Sequence, residues 1–354
     1  MFKKIIGCLL GGAIGDALGM PVVGLNRAEI AEMGGVRTFL ASKGASTLSI
    51  PLNVIADSEA GDLLEAGQWT DDTQLTLALA ETILEESGRF IPEAWAHKLV
   101  HWLNNEPRSP GVSSLQAAMQ LRTGGVFWDE SGDPEGAGCG AATRAAPIAI
   151  FFRNTPALRR EYALMQAQTT HGHADARAAA LAVCEAIISV LPIRSDFETN
   201  LNGISLLERL AEETADVSLA FSKCLLLARN LLEDGVDEAD AVRALGTSAW
   251  SRESIPVALY LIARHIDECK AENAGVAPLE HGAGKSSVNA FESLLLRSVN
   301  VTGDATESIA TIVGSIAGAL HGIDAIPAAW QTEVEDSDRI RDLSERLDRH
   351  AIRE

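Results

Sequence analysis

The sequence contains no Cys-x-x-Cys pair: its five cysteines, Cys8, Cys139, Cys184, Cys224 and Cys269, stand far apart and are odd in number. That spacing fits neither a disulfide framework nor a zinc ribbon, and it points to a reducing compartment, the cytoplasm. Basic residues are scarce too, with 29 Lys and Arg against 49 Asp and Glu for a formal net charge of -20. A chain with that field offers no cationic surface to a nucleic-acid backbone, so any phosphate it binds has to be held by local geometry. Long apolar runs are also missing. The start, Met1-Phe2-Lys3-Lys4 followed by Ile5 to Ile14, imitates a short signal peptide, but Asp16 follows and no small-residue cleavage site does. The run is too short for a bilayer span, and no membrane partner is expected. Alternating stretches rich in Val, Ile and aromatics are nearly absent, which argues against a β-sheet.

What the chain does have is helical periodicity. Apolar residues recur at three- and four-residue spacing along nearly all of its 354 residues, and 47% hydrophobic content is enough for a large core. The pattern predicts an all-α fold, a single-domain multi-helix orthogonal bundle over 1–354. Helices are expected near 3–19, 72–87, 92–104, 113–122, 141–153, 157–168, 174–191, 204–213, 216–233, 238–246, 254–269, 286–298 and 307–321. Between the first two, residues 41–67 are broken up by Ser, Gly and Pro and read as a long mobile loop. Gly7, Gly11, Gly15 and Gly19 lie four apart, as do Gly314, Gly318 and Gly322, so each set forms a stripe on one helix face. A glycine inside a helix costs up to about 1 kcal/mol relative to alanine, and a row of them implies two backbones in close approach.

Two acidic clusters carry the candidate chemistry. Trp69-Thr70-Asp71-Asp72-Thr73 opens one amphipathic stretch, and Gly303-Asp304-Ala305-Thr306-Glu307-Ser308 opens another more than two hundred residues later. Taken singly, each suits a helix N-terminus, where Thr, Asp and Glu cap the chain and answer its dipole. Taken together, they supply the hard oxygen ligands that Mg²⁺, Mn²⁺ or Ca²⁺ prefer. A buried acidic pair needs a counter-charge, and a divalent cation provides one.

A glycine-rich loop, Gly136 to Arg144, leads into a helix and can offer backbone amides to a phosphate, although no strand precedes it and its spacing fits neither a Rossmann nor a Walker motif. A flexible turn is the plain alternative. His171-Gly172-His173 precedes the helix expected at Ala174. Zinc ligation there needs a matching Cys or His cluster that the spacing does not supply, which leaves ligand hydrogen bonding or a helix-entry turn.

On these residues the chain resembles the ADP-ribosylglycohydrolase family, nearly end to end. Gly7 to Leu25 is similar to the family's opening helix and loop, and Gly67 to Thr73 to its first metal motif. Gly138 to Pro147 is similar to the phosphate-loop segment, His171 to Asp175 to the histidine segment, and Gly303 to Gly322 to the last metal motif and helix. The resemblance implies a compact all-α fold holding two Mg²⁺ ions, with Mn²⁺ as an alternative. It also implies cleavage of the bond between ADP-ribose and a protein side chain, arginine in the first place. By position it makes Thr70, Asp71, Asp72, Asp304, Glu307 and Ser308 metal ligands, with Asp71, Asp72 and Asp304 the catalytic carboxylates. It sets Gly138, Cys139, Gly140, Ala141 and Thr143 against the diphosphate, with His171 and His173 bordering the ribose.

Two departures stand out. Val23 replaces the Glu that usually follows Gly-x-Pro-Val in the family's opening loop, leaving Asp16, Glu29 or Asp57 as carboxylates from the same region. The last motif aligns in two registers: one keeps Asp304 but puts Thr306 at the second Asp, and the other keeps Glu307 and Ser308 but puts Ala305 at the first Asp. In either register one metal loses a carboxylate, so one intact and one weakened metal position are expected. Alongside the hydrolase reading stands a degenerate relative that binds ADP-ribose or a partner protein, for example as an immunity partner of a cognate ADP-ribosyltransferase. A third reading keeps hydrolase chemistry on a different glycoside.

Overall fold

In the computed structural model the described residues are 1–42, 64–191, 201–273, 289–301 and 303–351, and among them the chain is helical, without strands. In order the helices are α1 (Phe2–Gly19), α2 (Arg27–Glu32), α3 (Asp71–Glu85), α4 (Pro92–Leu103), α5 (Val112–Thr123), α6 (Gly140–Thr143), α7 (Ala146–Phe151), α8 (Pro156–Gln168) and α9 (Ala174–Val190). There follow α10 (Gly203–Thr214), α11 (Leu219–Glu233), α12 (Glu238–Leu245), α13 (Ser251–Asn273), α14 (Ala290–Val301), α15 (Thr306–His321), α16 (Ala328–Glu333) and α17 (Ser337–His350). Most of the expected loop at 41–67, including Asp57, lies outside the described residues.

The glycine stripes do bring two backbones together. A side chain at Gly7 would strike Gly318, one at Gly11 would strike Gly314, one at Gly15 would strike Ala310, and one at Gly19 would strike Glu307. Each step of four up α1 is matched by a step of about four down α15, so the pair is antiparallel in a fixed register. The seam sets the end of α1 against the start of α15, and the site described below depends on that placement. The apolar segment Phe2–Val22 has the length and hydropathy of a bilayer span, but 94% of that window is buried inside the protein, where it serves as the core helix.

The structure revises several element boundaries. The helix expected at 141–153 is divided, because α6 ends at Thr143 and α7 restarts at Ala146 with Pro147 in its first turn, where a missing N–H does no harm. Three helices had no sequence counterpart: α2, α16 and α17. In α17, Ile340, Leu343 and Leu347 form the buried stripe, spaced three and four apart among charged residues.

Candidate functional site

Three segments distant in sequence bring carboxylates to one place. Asp16, near the end of α1, is fully buried and accepts four hydrogen bonds from the tip of α3. One oxygen takes the Thr70 hydroxyl at 2.8 Å; the other takes the Thr70 amide at 3.0 Å, the Thr73 amide at 3.1 Å and the Thr73 hydroxyl at 2.6 Å. Thr70 is the N-cap of α3, its Oγ1 accepting from the Asp72 amide at 3.3 Å. The sequence reading named Asp16 only as a spare carboxylate, whereas here it organises the whole Thr70–Thr73 turn.

Asp71 and Asp72 form the first turn of α3 and are both buried. Asp71 Oδ2 accepts from the Gly111 amide at 2.9 Å. Asp72 Oδ1 accepts from the Thr143 hydroxyl at 2.7 Å, and its Oδ2 accepts from the Ser308 hydroxyl at 2.9 Å. Glu307 completes the set. Its Oε2 is enclosed and has no hydrogen-bond partner. Asp304, by contrast, is exposed on the turn before α15, and no described hydrogen bond joins it to this group. The seam accounts for the difference: with Gly314 against Gly11, α15 begins at Thr306, and Glu307 and Ser308 face inward. This corresponds to the register set by the helix glycines, with Ala305 where the family's first Asp would stand. Glu29 spends its carboxylate on a capping box with Asn26, and Val23 is half-buried at the end of the turn after α1.

The electrostatics are severe. Burial, then the charge of Asp72, pushes Asp16 up to about 7. Burial, then Asp72, also pushes Glu307 up to about 8. Asp71 is raised well above the carboxylate range by burial, then by Asp72, and the Gly111 amide only partly opposes this. Asp72 is raised by burial against the pull of Thr143, Ser308 and Arg144. Arg144 is wholly buried and faces Asp71 and Asp72; burial lowers it to about 9, which leaves it charged at neutral pH.

If ionised, the four carboxylates outnumber that guanidinium by three charges. Such a set fits a divalent cation, with an enclosed unpartnered oxygen on Glu307, a free lone pair on Thr70 Oγ1 and all-oxygen donors. One divalent ion would leave the set at one negative charge, and two would leave it at one positive charge, suited to an anionic ligand.

The glycine-rich loop packs beside this group. Cys139 is buried near Asp72, Glu307 and Ser308, but its amide donates to the Ala249 carbonyl at 3.0 Å and is not available to a ligand. Gly140, Ala141 and Thr143 form the single turn of α6, and Gly138 bridges to Trp250. Arg144 ties the loop down, donating to the Gly140 carbonyl at 3.1 Å, to Gln166 Oε1 at 2.8 Å and to Thr170 Oγ1 at 2.5 Å.

That last bond extends to His171. The Thr170 hydroxyl accepts from Arg144 and is hydrogen-bonded to His171 Nδ1 at 2.7 Å. His171 Nε2 lies beside Gly138 and Gly140. Burial, then Arg144, lowers its pKa to about 3, so the ring is neutral. His173 is placed differently: its Nδ1 accepts from the Asp175 amide at 3.2 Å and caps α9, and its side chain is part-exposed.

At the rim, half-exposed Trp250 is held by the Arg252 guanidinium 4.1 Å from its ring centroid, and Arg252 is itself paired with buried Asp175 at 2.9 Å. At the α3 tip Arg108 accepts the Asp71 amide through its carbonyl and pairs with Glu335 at 2.5 and 3.0 Å, while Trp69 Nε1 donates to the Glu335 carbonyl at 3.0 Å. The C-terminal segment thus braces the α3 tip.

Comparison with known proteins identifies the family. The family model described as ADP-ribosylglycohydrolase matches residues 1–353. An uncharacterised protein of Archaeoglobus fulgidus is 34% identical over 349 residues, covering 98% of this chain and 96% of its own. ADP-ribosylarginine hydrolase Tri1 of Pseudomonas putida is 26% identical over 350 residues, covering 96% of this chain and 76% of its own. A solved structure described as an ADP-ribosylglycohydrolase-related protein complex superposes with a TM-score of 0.70 at 25% identity, covering 99% of both chains. The chain belongs to the ADP-ribosylglycohydrolase family.

Proposed function

We propose that the protein is a divalent-metal-dependent hydrolase that removes ADP-ribose from modified protein side chains, with ADP-ribosylarginine as its first substrate. The supporting observation is the convergence of Asp16, Asp71, Asp72 and Glu307 from three separate segments into one cluster with Arg144 as the facing cation. Arginine as the linkage rests on the likeness to ADP-ribosylarginine hydrolase Tri1.

Thr70, Asp71, Asp72, Glu307 and Ser308 are the residues to hold Mg²⁺ or Mn²⁺, with Asp304 left outside. When bound, such an ion supplies Lewis acidity and a template for hydroxyl oxygens. The protein's own groups provide the rest. The Gly111 amide aims Asp71, and the Thr143 and Ser308 hydroxyls aim Asp72. Asp16 holds the Thr70–Thr73 turn that carries both aspartates. The loop at Gly138–Thr143 takes the diphosphate, and neutral His171, as its Nε2–H tautomer, donates to a ligand oxygen there. Trp250 offers a fixed aromatic face to the base. A carboxylate of the group orients water towards the anomeric carbon; the new C–O bond replaces the C–N bond, and the departing guanidine nitrogen takes the proton.

Incubation with Mg²⁺ and an ADP-ribosylated arginine substrate should release free ADP-ribose with wild-type protein and none with the Asp71→Asn, Asp72→Asn protein. Equal release by both would remove the assignment. Val23 in place of a carboxylate favours a second reading, a family member that binds ADP-ribose or a modified partner without turnover. Calorimetric binding of ADP-ribose without release would mark that outcome.

A further inference from the structure

The opposite end of α15 carries a constellation that the hydrolase reading leaves unused. His265 and Cys269 lie one turn apart on α13, and His321 is the last residue of α15. One ligand-capable atom from each lies within 4.8 Å of the other two. His265 Nε2 and His321 Nε2 are 2.8 Å apart, and Cys269 Sγ is 3.5 Å from His265 Nε2. Fourteen residues separate Glu307 from His321, which at helical rise places this group roughly 20 Å from the acid cluster.

We propose that His265, Cys269 and His321 bind a soft first-row transition metal, Zn²⁺ in the first place, as a cross-link between α13 and α15. Imidazole nitrogen and thiolate sulfur are zinc donors and poor partners for Mg²⁺ or Ca²⁺, so the two ends of α15 select different ions. The imidazoles meet at 76° with centroids 5.1 Å apart, so the Nε2 atoms converge while the rings do not stack. In that contact one Nε2 donates a proton to the other. A metal takes that proton's place.

Little movement is needed. Zinc bonds of about 2.0–2.1 Å to nitrogen and about 2.3 Å to sulfur set tetrahedral edges of roughly 3.3 Å between nitrogens and roughly 3.5 Å between nitrogen and sulfur. The edge from Cys269 Sγ to His265 Nε2 is already at that length, the atom His321 offers lies within 4.8 Å of the sulfur, and the two Nε2 atoms need to part by about half an ångström, within reach of side-chain rotations. Three protein ligands leave the fourth position to water, and Cys269 releases its thiol proton to solvent on binding. The facing charges are mixed: Glu268 and Glu272 are negative, Arg297 and Lys4 positive. The carbonyls at the end of α15 add negative potential. His265 is buried and the other two ligands half-buried, so the ion would sit within the fold. It would fasten the end of the seam where Gly318 meets Gly7.

The test uses Co²⁺ as a spectroscopic stand-in for Zn²⁺, added to metal-stripped full-length protein. The expected result is a thiolate-to-cobalt charge-transfer band that saturates at one thiolate-bound Co²⁺ per chain, is displaced by Zn²⁺ and is retained in the Asp71→Asn, Asp72→Asn protein. Cys269→Ala and His321→Gln should each abolish the band while keeping the metal-free melting curve, and Zn²⁺ should raise the melting temperature of wild type but not of these variants. Absence of a thiolate band in wild type, or a band of undiminished strength in either variant, would overturn the proposal. If one substitution disturbs the fold, the other decides.

Discussion

The two ends of α15 handle polar side chains in opposite ways. At the N-terminal end, Glu307 and Ser308 join Asp16, Asp71 and Asp72 in a cluster where acidic groups outnumber the facing cation and burial drives every carboxylate upward. At the C-terminal end, His265 and His321 satisfy one another as neutral rings, and burial lowers His265 to about 4. The first end is strained without a ligand, while the second is content with or without one. The contrast shows why pocket chemistry has to be read from charge balance as well as from proximity: both clusters are metal-like in geometry, but only the first has an excess of charge that a ligand must neutralise.

The glycine seam holds both ends in register, so breaking it should have the largest effect. Gly11→Val drives a branched side chain into the Gly314 backbone, and the cost should exceed the ~1–3 kcal/mol typical of overpacking. The expected outcome is loss of the cooperative thermal transition by circular dichroism, and a variant that melts like wild type would refute the close contact. Next in size is Asp72→Asn. The fold should survive, because the amide oxygen can still accept from one of the Thr143 and Ser308 hydroxyls while its NH2 donates to the other, but ADP-ribose release should fall by at least about 10²-fold.

A pH titration sharpens the comparison further. Asp16 rises from 3.8 to about 7 and Glu307 from 4.5 to about 8, so the folded chain binds these protons more tightly than the unfolded chain does. Their contribution to stability is therefore fully present below about pH 4 and is lost as the pH climbs through 7 to 8. In metal-free protein the melting temperature should fall across that window, and Mg²⁺, which favours the ionised carboxylates, should restore it more strongly at the alkaline end. A Mg²⁺ effect independent of pH would contradict the charge account. The smallest effect is expected at the surface pair of Lys3 and Asp324, both about two-thirds exposed just beyond the C-terminal end of α15. Asp324→Asn should leave the melting temperature unchanged within error, as is usual for screened ion pairs.

Much of this was legible in the sequence, for reasons particular residues make plain. Four-residue glycine spacing announces a close helix pair, and Trp69 to Thr73 announces the tip of α3, because both signals are local. The role of Asp16 was not legible: it depends on four donors more than fifty residues away. Nor could composition choose between Asp304 and Glu307. The choice follows from where Gly314 and Gly318 lock against α1, a tertiary fact. The α17 helix was overlooked because charged residues surround its stripe of Ile340, Leu343 and Leu347. His265 and Cys269 stand one turn apart and were readable as a pair, but their partner His321 follows 56 residues later.

The most direct test of the central claim is to count Mn²⁺ bound per chain by paramagnetic resonance at neutral pH, comparing wild type with the Asp71→Asn, Asp72→Asn protein. The account predicts at least one bound Mn²⁺ in wild type and none in the variant, with both chains folded. A wild-type chain that binds no Mn²⁺, or a variant that binds as much as wild type, would contradict it.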